Sequence, residues 1–162
     1  MTMTALKAAA IFAEGGIETG RLLLIEDGRF AGFVTAAEAH SRGIAVQEFP
    51  HSFLLPGLFD SHIHGALGHD TMDASPEAID AIGRYLLAQG TTAWMPTTVT
   101  ASPEAIQQAL RNLEHYVPAA DAARAIGCFV EGPYLTVEHR GAHPTEYLRE
   151  LSSVEFAELL AS

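Results

Sequence analysis

Residues 55–65 read LPGLFDSHIHG, where an apolar run passes into the polar side chains of Asp60, His62 and His64. Alternation along an extended chain places these three side chains on one face, after a predicted strand from Phe53 to Phe59. Two neutral imidazoles at this spacing can bind one divalent ion. Asp60 could hydrogen-bond a ring N–H or a backbone group. The stretch therefore predicts a strand whose carboxyl end carries metal-binding side chains.

The chain that follows alternates apolar runs with helix-start signals. Helices are predicted to begin at Ser75-Pro76-Glu77 and at Ser102-Pro103-Glu104, the first ending at Gly90. Serine suits the N-cap, proline the first helical position, and glutamate the positive end of the helix dipole. The apolar run TTAWMPTTV at 91–99 predicts a second strand, in which Trp94 is expected to be core. This order is typical of successive βα units with a parallel sheet.

A third unit follows with a different kind of candidate residue. The run AIGCFV at 125–130 predicts a strand, and Glu131 stands at its end beside Gly132 and Pro133. A carboxylate held stiffly at a strand end could bind a metal, or it could be a solvated loop glutamate. A last helix is predicted from Ser152, with Glu155 at capping-box spacing.

Residues 1–53 have a different pattern, of short apolar runs with polar or glycine-rich breaks. RLLLIE at 21–26 and RFAGFVT at 29–35 flank Asp27-Gly28. Both positions of that dipeptide tolerate positive φ, so a β-hairpin is predicted. We expect residues 1–53 to form part of a small β-rich domain, separate from the α/β region at 54–162.

Composition restricts the function. A hydrophobic content of 48% predicts a folded core, and a net charge of −11 argues against nucleic acid or an anionic membrane as a partner. The run AAAIFA at 8–13 is too short for a membrane span or a signal peptide. The single cysteine, Cys128, fits a reducing compartment and a packing role. These features favour a cytoplasmic protein.

Four ordered motifs resemble one family. LPGLFDSHIHG (55–65), GTTAWMPTT (90–98), GCFVEGPYL (127–135) and RGAH (140–143) are similar to segments of the N-acetylglucosamine-6-phosphate deacetylases, members of the amidohydrolase superfamily. The first motif is shared across the superfamily, whereas EGPYL and RGAH point to this branch. The resemblance runs from about Phe53 to Leu148.

The resemblance implies roles for particular residues. Glu131 would bind the catalytic metal, and His62 with His64 would make a second metal position possible. Ala142 and His143 would contact the amino sugar. The implied cofactor is a divalent metal, zinc first, with iron, cobalt or manganese as alternatives. The implied activity is hydrolysis of the acetamide of N-acetylglucosamine 6-phosphate, in a homodimer.

The resemblance also implies a fold that this chain does not complete by itself. The expected fold class is α/β: the N-terminal part of a (β/α)8 metal-dependent hydrolase barrel, preceded by part of a small β-sandwich domain. Three βα units cannot close such a barrel, which takes ~250 residues. The general base and two further histidine ligands are expected beyond residue 162. Residues 1–162 alone are therefore expected to be inactive and to need the remainder of the enzyme or a second subunit.

Two other functions fit parts of the pattern. Another amidohydrolase, a cyclic amidase or a nucleobase deaminase, would share the DSHIH strand end, although EGPYL and RGAH argue against it. A non-catalytic relative that binds an amino-sugar phosphate would explain the missing ligands.

Overall fold

A computed structural model describes residues 2–160 of the chain. Backbone contacts divide it into two compact units, Met1–Pro56 and Gly57–Ser162. Each unit is held together by its own sheet and its own buried cluster.

The first unit is a five-stranded sheet with one short helix. β1 pairs antiparallel with β2 and β3 along one edge and parallel with β5 along the other, and β4 continues the sheet from β3. Among the residues that the structure describes in this unit, all five strands belong to this one sheet. Its elements are β1 (Met3–Ala13), β2 (Gly16–Glu18), β3 (Leu22–Glu26), β4 (Arg29–Val34), α1 (Ala36–Ser41) and β5 (Ala45–Leu54).

The hairpin predicted at Asp27-Gly28 is confirmed. Glu26 pairs with Arg29, and the two turn residues have φ of 47° and 77°. Positive φ at both positions matches the right-handed twist of the two strands that the turn connects. The buried cluster of this unit gathers side chains from both arms of the hairpin, from β1 and from the α1 region: Ala5, Leu22, Leu24, Val34, Ala39 and Ile44.

The second unit is a three-stranded parallel sheet in the order β10-β9-β6, with helices between its strands. A two-stranded antiparallel ribbon, β7 with β8, follows the first strand. The elements are β6 (Leu58–Ile63), β7 (Gly65–Ala66), β8 (His69–Asp70), α2 (Pro76–Ala88), β9 (Thr91–Pro96), α3 (Pro103–His115), β10 (Arg124–Ala125) and α4 (Ser153–Leu160), with 3-10 turns at Thr71–Asp73, Val137–His139 and Thr145–Tyr147.

Both predicted helix starts are confirmed. The Ser75 hydroxyl accepts a hydrogen bond from the Ala78 N–H at 3.2 Å, and the Ser102 hydroxyl accepts one from the Ala105 N–H at 3.3 Å. Gly90, with φ of 88°, follows the end of α2 as predicted. Within residues 2–160, no helix combines the length and the apolarity needed to cross a lipid bilayer.

The predicted first strand, Phe53–Phe59, is wrong in its bounds. Phe53 and Leu54 belong to β5, because their backbones pair with Ala10 and Ile11 of β1. Pro56 has no N–H to donate to a sheet ladder, and pairing begins again at β6. Asp60 and His62 therefore lie within a strand instead of after one.

The predicted third strand, 125–130, is shorter and interrupted. Ile126 N–H donates to Trp94 O at 3.1 Å, and Phe129 N–H donates to Pro96 O at 2.9 Å. The two donors are three residues apart, whereas their acceptors on the β9 side are two apart. The extra residue makes a bulge around Gly127 and Cys128, so regular strand structure stops at Ala125.

The last helix begins with half of the predicted capping box. The Ser152 hydroxyl accepts from the Glu155 N–H at 3.3 Å. The Glu155 carboxylate does not return to the Ser152 backbone, because it pairs with the Arg149 guanidinium, whose Nε lies 2.8 Å from Oε1. An ion pair replaces the second capping hydrogen bond.

The buried cluster of this unit lies between α2 and the sheet. Ile79, Ile82 and Leu86 of α2 pack with Trp94 and Ala123. Trp94 is completely buried, and its indole N–H donates to Ala123 O at 3.2 Å, so its predicted core role is confirmed. The cluster holds α2 against the sheet. The loops that follow the carboxyl ends of the strands are not part of the cluster.

Cys128 should be unreactive in the folded chain. Burial raises the pKa of its thiol from 9.0 to about 11, although a backbone hydrogen bond with Thr98 acts in the other direction. At neutral pH the folded chain then holds ~100-fold less thiolate than an ordinary cysteine. Alkylation by iodoacetamide, followed by intact mass, should be slow and should accelerate about tenfold for each pH unit between pH 7 and 9. The same chain in urea is the control, and equal rates in both states would contradict the packing role.

Candidate metal centre and adjoining cavity

The carboxyl ends of the parallel strands meet at one edge of the sheet. His64 follows β6, and Thr97 follows β9. Thr97 is also bridged to Phe129, from which the chain leads to Glu131. The backbone hydrogen bond from Thr98 N–H to Phe129 O, 3.0 Å long, fixes this end of the third segment. Strand pairing thus brings Glu131 beside the two histidines of the first strand end.

Glu131 is surrounded by three imidazoles. Its Oε2 lies 3.1 Å from His62 Nε2 and 2.9 Å from His64 Nε2, and its Oε1 lies 3.4 Å from His143 Nε2. Ligand atoms of His62, His64 and Glu131 all lie within 4.8 Å of one another. Within residues 2–160, these three form a group able to hold a metal ion, and they are the three metal ligands predicted above.

The environment of His64 favours a cation at this point. Its Nδ1 lies 3.2 Å from the carbonyl oxygen of Thr97, which can only accept a hydrogen bond. In the neutral ring, the proton is therefore on Nδ1, and Nε2 points its lone pair at Glu131 Oε2. Two acceptors 2.9 Å apart repel each other unless a proton or a metal ion lies between them. The donor set, two imidazoles and one carboxylate, is one that divalent transition metals accept.

His62 is held from its ring face and from its backbone. The ring lies against Phe129, with centroids 4.8 Å apart and planes inclined by 38°. Asp60 Oδ1 accepts from the His62 backbone N–H at 3.0 Å. Of the two roles left open for Asp60, the structure therefore shows the backbone one.

Opposing influences act on the Glu131 carboxyl. Burial is the largest single influence, and it raises the pKa of this carboxyl. Hydrogen bonds with His143 and His62, together with the charges of His62 and His64, lower the pKa by more than burial raises it. The pKa consequently lies below the ordinary value of 4.5. Glu131 is ionised throughout the neutral range, which is the form that binds a cation.

His143 differs from the other two imidazoles in its burial. Its side chain is 11% exposed, against 44% for His62 and 40% for His64. Its backbone is tied to Arg140, which donates from Nη1 to His143 O at 2.6 Å and accepts from His143 N–H at 3.1 Å. Its Nδ1 lies 2.7 Å from Thr100 Oγ1. The ring thus has a fixed position with Nε2 towards Glu131.

Gly132 makes this arrangement possible by having no side chain. It has φ of 73°, and a Cβ atom there would overlap the Thr100 hydroxyl and lie 3.5 Å from His143 Nδ1. The peptide bond from Gly132 to Pro133 is cis. A glycine is therefore needed next to Glu131 for two reasons: the positive φ and the close contact with the Thr100 hydroxyl.

A cavity of about 530 Å³ adjoins His64, Glu131 and His143. Ala142 and His143, predicted to contact a sugar, lie on its wall, and so do Asp70 and His139, to which the sequence assigned no role. The Asp70 carboxylate accepts from the Met72 N–H at 2.8 Å. The residues that sequence reasoning missed are Thr97 and Thr100, since a threonine after a strand carries no signal of what its hydroxyl contacts. The wall consists of His64, Asp70, Val99, Glu131, Leu135, His139, Arg140, Gly141, Ala142 and His143.

Known proteins with similar sequences are sugar-phosphate deacetylases. The chain is 33% identical over 157 residues to an N-acetylgalactosamine-6-phosphate deacetylase of Escherichia coli O157:H7, covering 96% of this chain and 40% of that protein. It is 40% identical over 109 residues to an N-acetylglucosamine-6-phosphate deacetylase of Vibrio furnissii, covering 67% of this chain and 27% of that protein. The chain thus spans well under half of the curated relatives that it matches. No protein-family model matches it.

A solved structure has a similar fold. The N-acetylglucosamine-6-phosphate deacetylase of Pasteurella multocida superposes with a TM-score of 0.88 at 24% identity, covering 98% of this chain and 42% of that one. This likeness concerns the fold alone. It agrees with the predicted mixed α/β class.

Substitution of Gly132 tests the packing around His143. Gly132→Ala should lower the free energy of unfolding by about 2–4 kcal/mol, because it adds a collision with Thr100 to the strain of positive φ. Gly141→Ala is the matched control: its φ is 58°, but a Cβ there meets no atom within 4 Å. That variant should lose only about 1–2 kcal/mol. Urea unfolding followed by Trp94 fluorescence measures both, and equal losses would show that the contact with Thr100 does not matter.

Proposed function

We infer that this chain takes part in metal-dependent hydrolysis of an acetamide, because it belongs to the N-acetylglucosamine-6-phosphate deacetylase family over the region that it spans. The observation that supports this function best is the position of Glu131. It lies at a strand end between His62 and His64 and faces a cavity whose wall includes Ala142 and His143. The proposed substrate is N-acetylglucosamine 6-phosphate, and the products are glucosamine 6-phosphate and acetate.

We propose that Glu131, His62 and His64 hold a divalent cation, with zinc as the first choice. Their donor atoms suit zinc, and the opposed acceptors of His64 and Glu131 call for positive charge between them. When bound at such a site, a divalent cation lowers the pKa of a water molecule and withdraws electron density from an amide carbonyl. Iron, cobalt and manganese are compatible with the same donor set.

The chain's own residues have separate tasks in this proposal. His143 lies on the cavity wall with its Nε2 3.4 Å from Glu131 Oε1, and this nitrogen would donate a hydrogen bond to an oxygen of the substrate. Ala142, on the same wall, leaves room for the sugar ring. The hydrogen bonds of Arg140 with the His143 backbone keep this wall in place before the substrate binds.

The general base is proposed to come from outside residues 1–162. Asp70 and Glu131 are the carboxylates on the wall of the described cavity. Glu131 is assigned to the metal, and Asp70 already accepts hydrogen bonds from the first turn of the 3-10 helix that follows it. A complete (β/α)8 barrel, a β-sandwich domain finished by other strands and a cytoplasmic homodimer belong to the same proposal.

The sugar epimer is a second question. A relative covering 96% of this chain is named for the galactosamine substrate, and the Vibrio furnissii relative for the glucosamine one. The two sugars differ only in the configuration at C4. We therefore propose a 6-phosphorylated N-acetylhexosamine as the substrate class, with N-acetylglucosamine 6-phosphate as the first member to test.

Metal content tests the ligand assignment. Glu131→Gln keeps the size of the side chain but removes its charge, and the variant should bind the metal at least about 10-fold more weakly. His62→Asn and His64→Asn should also lower the metal content measured by elemental analysis on mass-verified protein. The control is His115→Asn, on the last turn of α3 with a side chain that is 78% exposed. Unchanged metal content in Glu131→Gln would overturn the assignment.

Acetate release tests the reaction. Protein that includes this chain should release acetate from N-acetylglucosamine 6-phosphate, and kcat/KM should be lower for the unphosphorylated sugar. A panel with N-acetylgalactosamine 6-phosphate, a cyclic amide and guanine separates the alternatives. Faster turnover of the cyclic amide or the nucleobase would place the activity elsewhere among amidohydrolases. Binding of the sugar phosphate without acetate release would show a non-catalytic relative.

A further inference from the structure

Two of the imidazoles around Glu131, those of His64 and His143, differ in what their Nδ1 atom contacts. For His64, the contact of Nδ1 is the Thr97 carbonyl, an acceptor. For His143, Nδ1 contacts two groups of Thr100 instead, the backbone N–H at 3.3 Å and the hydroxyl at 2.7 Å. The two contacts have opposite hydrogen-bonding character. They should therefore place the ring protons of His64 and His143 on different nitrogens.

The backbone N–H and the hydroxyl of Thr100 together decide which nitrogen of the neutral His143 ring carries the proton. An N–H group can only donate, so His143 Nδ1 must accept, and the Thr100 hydroxyl must donate to the same lone-pair region. The neutral ring then carries its proton on Nε2. That nitrogen faces Glu131 Oε1 at 3.4 Å, and a carboxylate oxygen is an acceptor. Every contact of this ring is satisfied by one tautomer.

The surroundings of Thr100 leave its hydroxyl little freedom. Thr100 is 1% exposed, and the open face of Gly132 lies directly beside its Oγ1. The buried His143 ring has its backbone tied to Arg140 on the other side. Because a buried hydroxyl without a partner costs about 1–3 kcal/mol, the hydrogen bond to Nδ1 should be kept continuously.

We propose that Thr100 is a positioning residue that keeps His143 in the Nε2–H tautomer and so reserves it as a hydrogen-bond donor to the substrate. An imidazole whose Nε2 carries a proton cannot bind a metal through that atom. The same carboxylate is thus shared by His64, whose Nε2 lone pair is free for a cation, and by His143, whose Nε2 is not. The part of this proposal that concerns the substrate rests on the proposed function, whereas the tautomer is a property of the chain without substrate.

Nitrogen NMR measures the tautomer directly. Long-range ¹H–¹⁵N spectra of zinc-loaded protein at about pH 8, where an ordinary imidazole is neutral, separate the two tautomers, and His143→Asn identifies the signal. The wild type and Thr100→Ser should show the Nε2–H form. Thr100→Val keeps the shape of the side chain but removes the hydroxyl. Only the longer backbone contact of 3.3 Å then remains on Nδ1, so part of the population should shift to the Nδ1–H form.

Thr98→Val is the matched control. Thr98 is completely buried in the same segment, and its hydroxyl has no hydrogen-bond partner among the described residues. The same substitution there should leave the His143 signal unchanged. A wild-type ring with its proton on Nδ1, or a Thr100→Val ring that remains wholly in the Nε2–H form, would overturn the proposal.

Kinetics test the consequence for the substrate. In protein that includes this chain, Thr100→Val should lose about 5- to 10-fold in kcat/KM for acetate release, the size of one hydrogen bond, while Thr100→Ser stays within about 2-fold of the wild type. The metal content should remain that of the wild type in both variants. A parallel loss of metal and activity in Thr100→Val would show a structural role and overturn the proposal. If the wild type releases no acetate from either sugar phosphate, the proposed function fails, and the NMR result still decides the tautomer.

Discussion

The arrangement of the site depends on Thr97, the residue that follows β9. Its backbone N–H donates to Ile63 O at 2.9 Å, and its hydroxyl accepts from the Ile63 N–H at 3.0 Å. Its carbonyl contacts His64 Nδ1, and the same residue is bridged to Phe129. One completely buried threonine therefore joins the segment that carries the histidines to the segment that leads to Glu131. If these hydrogen bonds were absent, the metal-binding atoms of the histidines and of Glu131 would lie on loops that are not joined to each other.

The bulge after β10 has a part in the same geometry. A regular parallel strand would continue the two-residue alternation of β9, whereas this chain inserts one extra residue between Ile126 and Phe129. An odd insertion reverses which side chains face a given side of the sheet. Glu131 follows directly after this change, and Gly132 then allows the chain to turn beside Thr100. The bulge at the end of the third strand therefore helps to set the direction of the Glu131 side chain.

Neighbouring groups give chemically identical side chains different properties. His64 and His143 both face Glu131, but one has a carbonyl behind it and the other has the two donors of Thr100. The carboxylate itself is kept ionised because contacts with the imidazoles outweigh the effect of burial. The chemistry of the site therefore depends on groups outside the set that touches a metal.

Features that arise from neighbouring residues could be predicted from the amino-acid sequence. Ser75 and Ser102 begin their helices, Asp27-Gly28 forms its hairpin, and His62, His64 and Glu131 lie in or after segments that the sequence predicts as strands. Each of these depends on local backbone geometry or on spacing within one segment.

Three other features depend on the tertiary structure: the strand to which Phe53 belongs, the end of the third strand, and the groups that contact Nδ1 of His64 and of His143. Phe53 belongs to β5 because its backbone pairs with Ala10 of β1. Thr100 contacts His143 because Gly132 has no side chain that would overlap the Thr100 hydroxyl. These outcomes depend on distances between residues far apart in the chain. Such distances are set by strand pairing and packing, and no local pattern records them.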